Sequence, residues 1–259
     1  MDVQAWLRAH PAPPQQKRPR SFEINYSRLR AYLECPWEYK LRFVDWKPQP
    51  PSPPASLGMT VHKALESFHR EDGADVARLL ELYDKHFHHA GFAEPQVKAQ
   101  WYRRGEEMLT RYWKDELERR TQVAYVEREF LFELGAHRVR GMIDRIDEHP
   151  DGRFEIIDYK TGPEGEAGEK RFFQDLQLRI YGLGAREGLA IEPAWLTLYY
   201  VATGTRRTVD YDPSGEEELT ELLLRAAELM AAGRHLPPET AFCPSCLFRS
   251  DCQFSAAAR

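Results

Sequence analysis

Residues 141–147 read GMIDRID and residues 155–162 read EIIDYKTG, with His149, Pro150, Asp151 and Gly152 between them. Two strands joined by a tight turn would bring Asp144, Asp158 and Lys160 to one place, where paired carboxylates beside an ammonium group could hold a divalent cation. The turn decides whether they meet. Pro-Asp-Gly suits a three-residue hairpin loop, with Pro opening a type I turn and Gly in the left-handed position of a bulge. That loop pairs His149 with Arg153, and the same register sets Asp144 opposite Asp158. A two-residue loop would shift the register by one and throw the carboxylates onto opposite faces. Side chains two apart on a strand share a face, so Asp158 and Lys160 point one way while Ile157 and Tyr159 point the other. Carboxylates converging at the end of strands otherwise written in Met142, Ile143, Ile146, Ile156 and Ile157 are costly unless something pairs them. Hard oxygen ligands make magnesium or manganese the natural partner.

The elements that must carry these residues follow from periodicity and from the Pro and Gly punctuation. Residues 27–41 read as a helix, with Leu29, Leu33, Trp37 and Leu41 at four-residue spacing and Ser27 as its cap. The segment 47–56, KPQPPSPPAS, holds five prolines and reads as an extended connection. Helices are expected over 58–70, 75–89, 94–120, 170–187 and 214–232. Strands are expected over 123–134, 138–148, 153–160 and 195–202, with a short edge strand at 206–210. Residues 162–170, GPEGEAGEK, read as a mobile loop over the site. Helices precede and interrupt a mixed sheet of about five strands, so the fold class is α/β.

A chain of 259 residues with 42% hydrophobic content can bury a real core. We expect a flexible tail over 1–20, whose composition is Pro-rich and basic at its end, and one domain over 21–259. No apolar run approaches the ~18 residues a membrane span needs, and the N-terminus lacks the apolar stretch of a signal peptide, so no membrane partner and a cytoplasmic location are expected. A net charge of −5 does not advertise a nucleic-acid binder, yet residues 17–47 hold eight Lys/Arg against four Asp/Glu, while 210–228 hold seven Asp/Glu against Arg225. Solvated helix faces account for much of that asymmetry.

Four ordered strings carry a family resemblance: G-x-x-x-H-x-x-x-E at Gly58, His62 and Glu66; G-x-x-D-R-x-D at 141–147; I-I-D-Y-K-T-G at 156–162; and Q-x-x-x-Y at Gln177 and Tyr181. Together they resemble the RecB-like branch of the PD-(D/E)XK nucleases, over residues 58–181. The resemblance implies a restriction-endonuclease-like core and hydrolysis of phosphodiester bonds without a covalent enzyme intermediate. It implies that Asp144, Asp158, the His62 imidazole and the backbone carbonyl of Tyr159 ligate Mg2+ or Mn2+. Lys160 would lie by the attacking water and the scissile phosphate. Gln177 and Tyr181, adjacent on one helix face, would help position DNA or the lysine, or else pack against the sheet. Glu66 would either hold the imidazole or be an ordinary helix carboxylate. Asp147 is expected to make surface pairs with Arg145.

The cysteines are Cys35, Cys243, Cys246 and Cys252. C-x-x-C followed by a third cysteine six residues on is a ligand pattern whose local spacing permits tetrahedral zinc or an iron-sulfur cluster. One cysteine before the catalytic strings and three after them, in Y-x-x-C-P-x-x-Y and C-P-S-C-x-x-x-x-x-C, are similar to the iron-sulfur subgroup that includes AddB-type and CRISPR-adaptation nucleases. That likeness implies a 4Fe-4S cluster, with zinc as the lesser alternative, clamping the N-terminal helix to the C-terminal segment. Tyr32, Trp37, Tyr39, Phe248 and Arg249 would either touch a single strand or shield the cluster. The function implied is a metal-dependent DNA exonuclease acting on single strands or ends in repair, recombination or spacer acquisition. The string G-x-x-x-x-G-K-[ST] does not occur, so unwinding falls to a helicase or other repair partner. The alternatives are a non-catalytic DNA-end-binding module of the same fold and a zinc-stabilised endonuclease.

Overall fold

A computed structural model describes residues 1–13, 21–73, 75–164, 169–237, 243, 246–250 and 252–255, with the backbone alone for 169–171 and 173. In chain order the elements are α1 (Val3–Ala9), β1 (Glu23–Ile24), α2 (Tyr26–Glu34) and α3 (Pro36–Tyr39), which runs into a π turn at Lys40–Val44. There follow α4 (Pro53–Arg70), α5 (Val76–Lys85), α6 (Pro95–Leu117), β2 (Gln122–Leu134), β3 (His137–Glu148) and β4 (Phe154–Lys160). The chain continues through α7 (Glu169–Leu189), β5 (Pro193–Tyr200), β6 (Thr205–Asp210), a 3-10 turn at Pro213–Gly215, and α8 (Glu216–Ala231). The fold is α/β. Its mixed sheet has six strands in the order β1-β3-β4-β5-β6, with β2 paired to β3, where about five were expected. The extra strand is β1, a two-residue parallel pairing of Glu23 and Ile24 with Arg138 and Val139, too short to leave a periodic signal.

The chain divides into two compact units. One comprises Met1–Gln49, Leu131–Gly141 and Pro213–Arg259, and the other Pro50–Phe130 and Met142–Asp212. Within the first, the span read as a tail contains α1, capped by the Asp2 side chain accepting the Ala5 N–H at 3.0 Å. The helix expected over 27–41 is interrupted at Cys35, whose extended backbone (φ −164°) precedes Pro36. Proline disfavours a helical conformation in the residue before it. Asn25, rather than Ser27, caps α2 by accepting the Arg28 N–H.

In the second unit, α4 begins inside the proline-rich link, because Pro53 and Pro54 occupy the first turn, where a missing N–H costs nothing. The hairpin between β3 and β4 has the register read from the sequence. The His149 N–H donates to Arg153 O at 2.8 Å, Gly152 has φ +80°, and Arg145 pairs with Ile157. Continued one step beyond the last pair, that register would set Asp144 opposite Asp158. Ile157 and Tyr159 enter a core with Val61, Leu65, Leu79, Leu82, Met108, Leu109 and Tyr112 from α4, α5 and α6. Each fully buried aliphatic side chain there contributes about 1.5–3 kcal/mol. Gly105 makes the closeness of α5 and α6 possible, since a Cβ there would lie 2.1 Å from the Tyr83 hydroxyl. The other face of β4 and β5 meets α7, where the Tyr200 hydroxyl donates to Gln174 Oε1 at 3.0 Å. Among the described residues no helix is long and apolar enough to cross a membrane.

Candidate metal centre

All the candidate metal and catalytic residues lie in the second unit. The hairpin delivers the carboxylates: Asp144 is 7% exposed and Asp158 1%. At their level the ladder between β3 and β4 gives way to a side-chain bond, the Tyr159 N–H donating to Asp144 Oδ2 at 2.8 Å. That bond ties the Tyr159 backbone to the Asp144 carboxylate. His62 comes from α4, its Nδ1 3.5 Å from Asp144 Oδ2. Gly58, one turn earlier, lets the helix approach the end of β4, because a Cβ there would lie 3.3 Å from Thr161 Oγ1. Lys160 shares the Asp158 face as the period-2 argument requires. Its Nζ is in ion-pair contact with Asp158 Oδ2 and donates to Gln177 Oε1 at 2.6 Å. Gln177 Nε2 in turn donates to the Tyr181 hydroxyl at 2.9 Å. The structure thus brings together His62, Asp144, Asp158, Tyr159, Lys160, Gln177 and Tyr181 around one point.

Residues 23–253 match the PD-(D/E)XK nuclease superfamily. The chain belongs to that superfamily. Among solved structures, this nuclease is similar to one named "Putative exonuclease" from Eubacterium rectale, at 11% identity over 86% of each chain with a TM-score of 0.55. It also matches SSO0001 at 17% identity over 97% of this chain and 93% of that one, with a TM-score of 0.43. No curated protein matches.

The site contains one residue that sequence reasoning missed. Glu127 on β2 joins His62 and Asp144, one ligand atom from each lying within 4.8 Å of the others. It gets there through a left-handed backbone (φ +46°) in mid-strand, a conformation rarely taken by a residue with a side chain and often found at functional sites. Nothing in EREF signals that kink. Glu66 goes the other way: its oxygens pair with Lys63 Nζ at 2.6 Å and Arg70 Nη2 at 3.1 Å, and His62 faces Asp144 instead. Lysine and arginine at helical spacing capture the carboxylate that had been offered to the imidazole.

The electrostatics are those of a cation site. Desolvation alone would lower the His62 pKa, but Asp144, with Asp158 and Glu127, outweighs it and pushes it up to about 9. Asp144 is itself desolvated, yet His62 and the Tyr159 N–H hold its carboxyl below the usual range. Burial raises Asp158 to about 6, Lys160 opposing and Asp144 reinforcing the shift. Burial, then the neighbouring Asp144, raises Glu127 to about 7. Asp158 Oδ2 is buried and is met by the Lys160 ammonium group alone among the described residues. Three carboxylates beside an imidazole nitrogen, one of their oxygens held by nothing but an ion pair, are a donor set that fits the divalent metals this superfamily uses.

Asp147 is a correction. Far from a surface pair, it is fully buried, accepts from Arg145 Nε at 2.5 Å and Nη2 at 2.9 Å, and is also held by Arg119 and Thr121. In the first unit the four cysteines are free and half-buried. Burial pushes the Cys35 thiol up, with Cys252 adding to the shift, and burial raises Cys246, with Glu38, Cys35 and Cys252 contributing. Cys35 ends α2, and the Cys246 N–H donates to Cys243 O at 3.1 Å. Tyr32, Tyr39 and Phe248 are buried and Trp37 meets Phe254 edge-on at 4.8 Å, while Arg249 is exposed. The loop expected over 162–170 lies in part, at 165–168, outside the described residues.

Proposed function

We propose that this nuclease is a Mg2+- or Mn2+-dependent DNA exonuclease that hydrolyses phosphodiester bonds in single strands or at DNA ends during repair or recombination. The observation that carries the reading is the convergence of His62, Asp144, Asp158 and Lys160 on one buried-edge site. His62, Asp144, Asp158 and the Tyr159 carbonyl would hold the metal, with Glu127 as a third carboxylate. A bound divalent ion supplies a water of lowered pKa and offsets charge developing on the phosphate. Lys160, steadied by Gln177, orients the attacking water and neutralises the phosphate oxygen as the bond breaks. Tyr181 fixes Gln177 and so acts one step removed. Glu127, with its carboxyl pushed up to about 7 while no metal is bound, gives up a proton near neutral pH when it joins the ligands. The name "Putative exonuclease" given to the Eubacterium rectale protein of similar fold agrees with the end-directed form of the reading.

Cys35, Cys243, Cys246 and Cys252 would hold a 4Fe-4S cluster, closing a loop of more than 200 residues, where a cross-link restricts the unfolded chain most. A helicase or repair partner would supply single strands from duplex. The mode of attack is tested by incubating end-labelled linear DNA and a covalently closed single-stranded circle with the protein and Mn2+. Mononucleotide release from the linear strand with the circle intact is expected, and opening of the circle would overturn end-directed cleavage.

A further inference from the structure

Three of the elements that supply the proposed metal ligands, α4, β3 and β4, each carry a second residue that reaches into the core. On α4, His69 lies two turns beyond His62, on the same helix face. Arg145 directly follows Asp144 on β3, and Tyr159 directly follows Asp158 on β4, so both turn into the core. All three meet at one hydroxyl on a fourth element. The Tyr112 hydroxyl, from α6, is 2.5 Å from His69 Nε2 and 2.8 Å from the Tyr159 hydroxyl, and it accepts from Arg145 Nη1 at 2.7 Å. Arg145 Nη1 also donates to Glu116 on α6 at 2.7 Å and lies 3.4 Å from the Tyr159 hydroxyl. Tyr112 and Arg145 are almost wholly buried.

We propose that Tyr112, with Arg145 and Glu116, is a positioning hub that holds α4, β3 and β4 at the spacing the metal requires. This inference rests on the metal-centre reading above. The backbone argues for it. The pairing of β3 with β4 begins at Arg145–Ile157, and beyond it the Tyr159 N–H bonds the Asp144 carboxylate rather than a carbonyl. The strands therefore part where the ligands sit, and the side chains of Arg145 and Tyr159 rejoin them from below through Tyr112. A carboxylate–amide bond on one face and a hydroxyl–guanidinium cluster on the other fix where the Tyr159 carbonyl points. Buried polar networks of this kind are specific when every member is satisfied. His69 stays neutral because burial, then Arg145 and Arg119, drive its pKa down to about 3, so no second cation disturbs the cluster.

The test uses the full chain and three conservative variants. Tyr112→Phe keeps the ring that stacks on Tyr199 at 5.4 Å and removes only the shared hydroxyl. Tyr159→Phe removes its partner. Tyr83→Phe, which deletes the bond from a fully buried hydroxyl to Tyr102 O in the same core, controls for lost stability. Mn2+ binding is read by electron paramagnetic resonance of the free ion, alongside metal-free melting and single-turnover DNA cleavage at saturating Mn2+. Outer hydrogen-bond partners of metal ligands change affinity by about 10–100-fold. A weakening of that order is expected in Tyr112→Phe and Tyr159→Phe, with the rate at saturating metal recovered and Tyr83→Phe binding as the wild type does. Wild-type affinity in Tyr112→Phe, or an equal loss in Tyr83→Phe, overturns the hub. Failure of the wild type itself to bind Mn2+ would remove the metal-centre reading, and the hub with it.

Discussion

Raising the pH should tighten metal binding, by an amount set by the proton on His62. Its imidazole, pushed up to about 9 by Asp144, is almost entirely protonated at pH 7. A metal taking that nitrogen must expel the proton first. Two pH units at about 1.4 kcal/mol each make ~2.7 kcal/mol, so affinity at pH 7 is about a hundredfold below its alkaline limit. Near and below neutrality Glu127, at about 7, and Asp158, at about 6, hold further protons that compete. Affinity for Mn2+ is therefore expected to rise about tenfold per pH unit around pH 8, more steeply toward pH 6, and to level off above about pH 9. Calorimetric titration in two buffers of different ionisation enthalpy counts the protons released: about one at pH 8 and two or more at pH 6. In His62→Ala the slope near pH 8 should disappear while affinity at high pH falls. Affinity that stays flat between pH 6.5 and 8.5, with no proton released, would refute the assignment of His62 as ligand and the electrostatics that go with it.

The same shift bears on the metal-free fold. A pKa raised from about 6.5 to about 9 gives stability that is fully present below pH 6.5 and lost as pH climbs through 9, so the melting gap between wild type and His62→Ala should shrink over that window. Lys160→Gln should cut single-turnover cleavage at saturating metal by on the order of 10²–10⁴. Gln177→Leu, which removes one charge-assisted bond to Lys160, should cost about tenfold in the same assay, and equal rates in the two variants would contradict their separate roles. Gly105→Ala places a Cβ 2.1 Å from the hydroxyl of fully buried Tyr83 and should lower stability to urea by about 1–3 kcal/mol, whereas an unchanged midpoint would contradict the packing described. Cys252→Ser should lose iron and melt earlier than the anaerobically purified wild type; full zinc and no iron in the wild type would replace the cluster with the tetrahedral site.

What the sequence revealed, it revealed through local rules. Pro150-Asp151-Gly152 allows one register, and that register alone put Asp144, Asp158 and Lys160 on a shared site. The helices and strands of the second unit were legible because their apolar periods are long, and Gln177 and Tyr181 because four residues make one helical turn. What stayed hidden depends on distant partners. Glu127 reaches the site through a backbone kink that no neighbouring residue demands. Arg145 and Asp147 look like surface charges, yet each is buried because α6 and the segment after it bring Glu116, Tyr112 and Arg119 to meet them. Glu66 was claimed by Lys63 and Arg70, a competition that helical spacing contains but does not rank. The two-residue β1 and the division into two units arise from long-range pairing, for which the local pattern has no term.

The most direct measurement is digestion of end-labelled single-stranded DNA by the anaerobically purified protein and by its Asp158→Ala form, each with and without Mn2+. The account predicts cleavage by the wild type that needs the metal and is abolished by the substitution. A wild type that binds the DNA with its fold intact and leaves it uncut in Mn2+ and Mg2+ alike, or an Asp158→Ala form that cuts equally well, would contradict it.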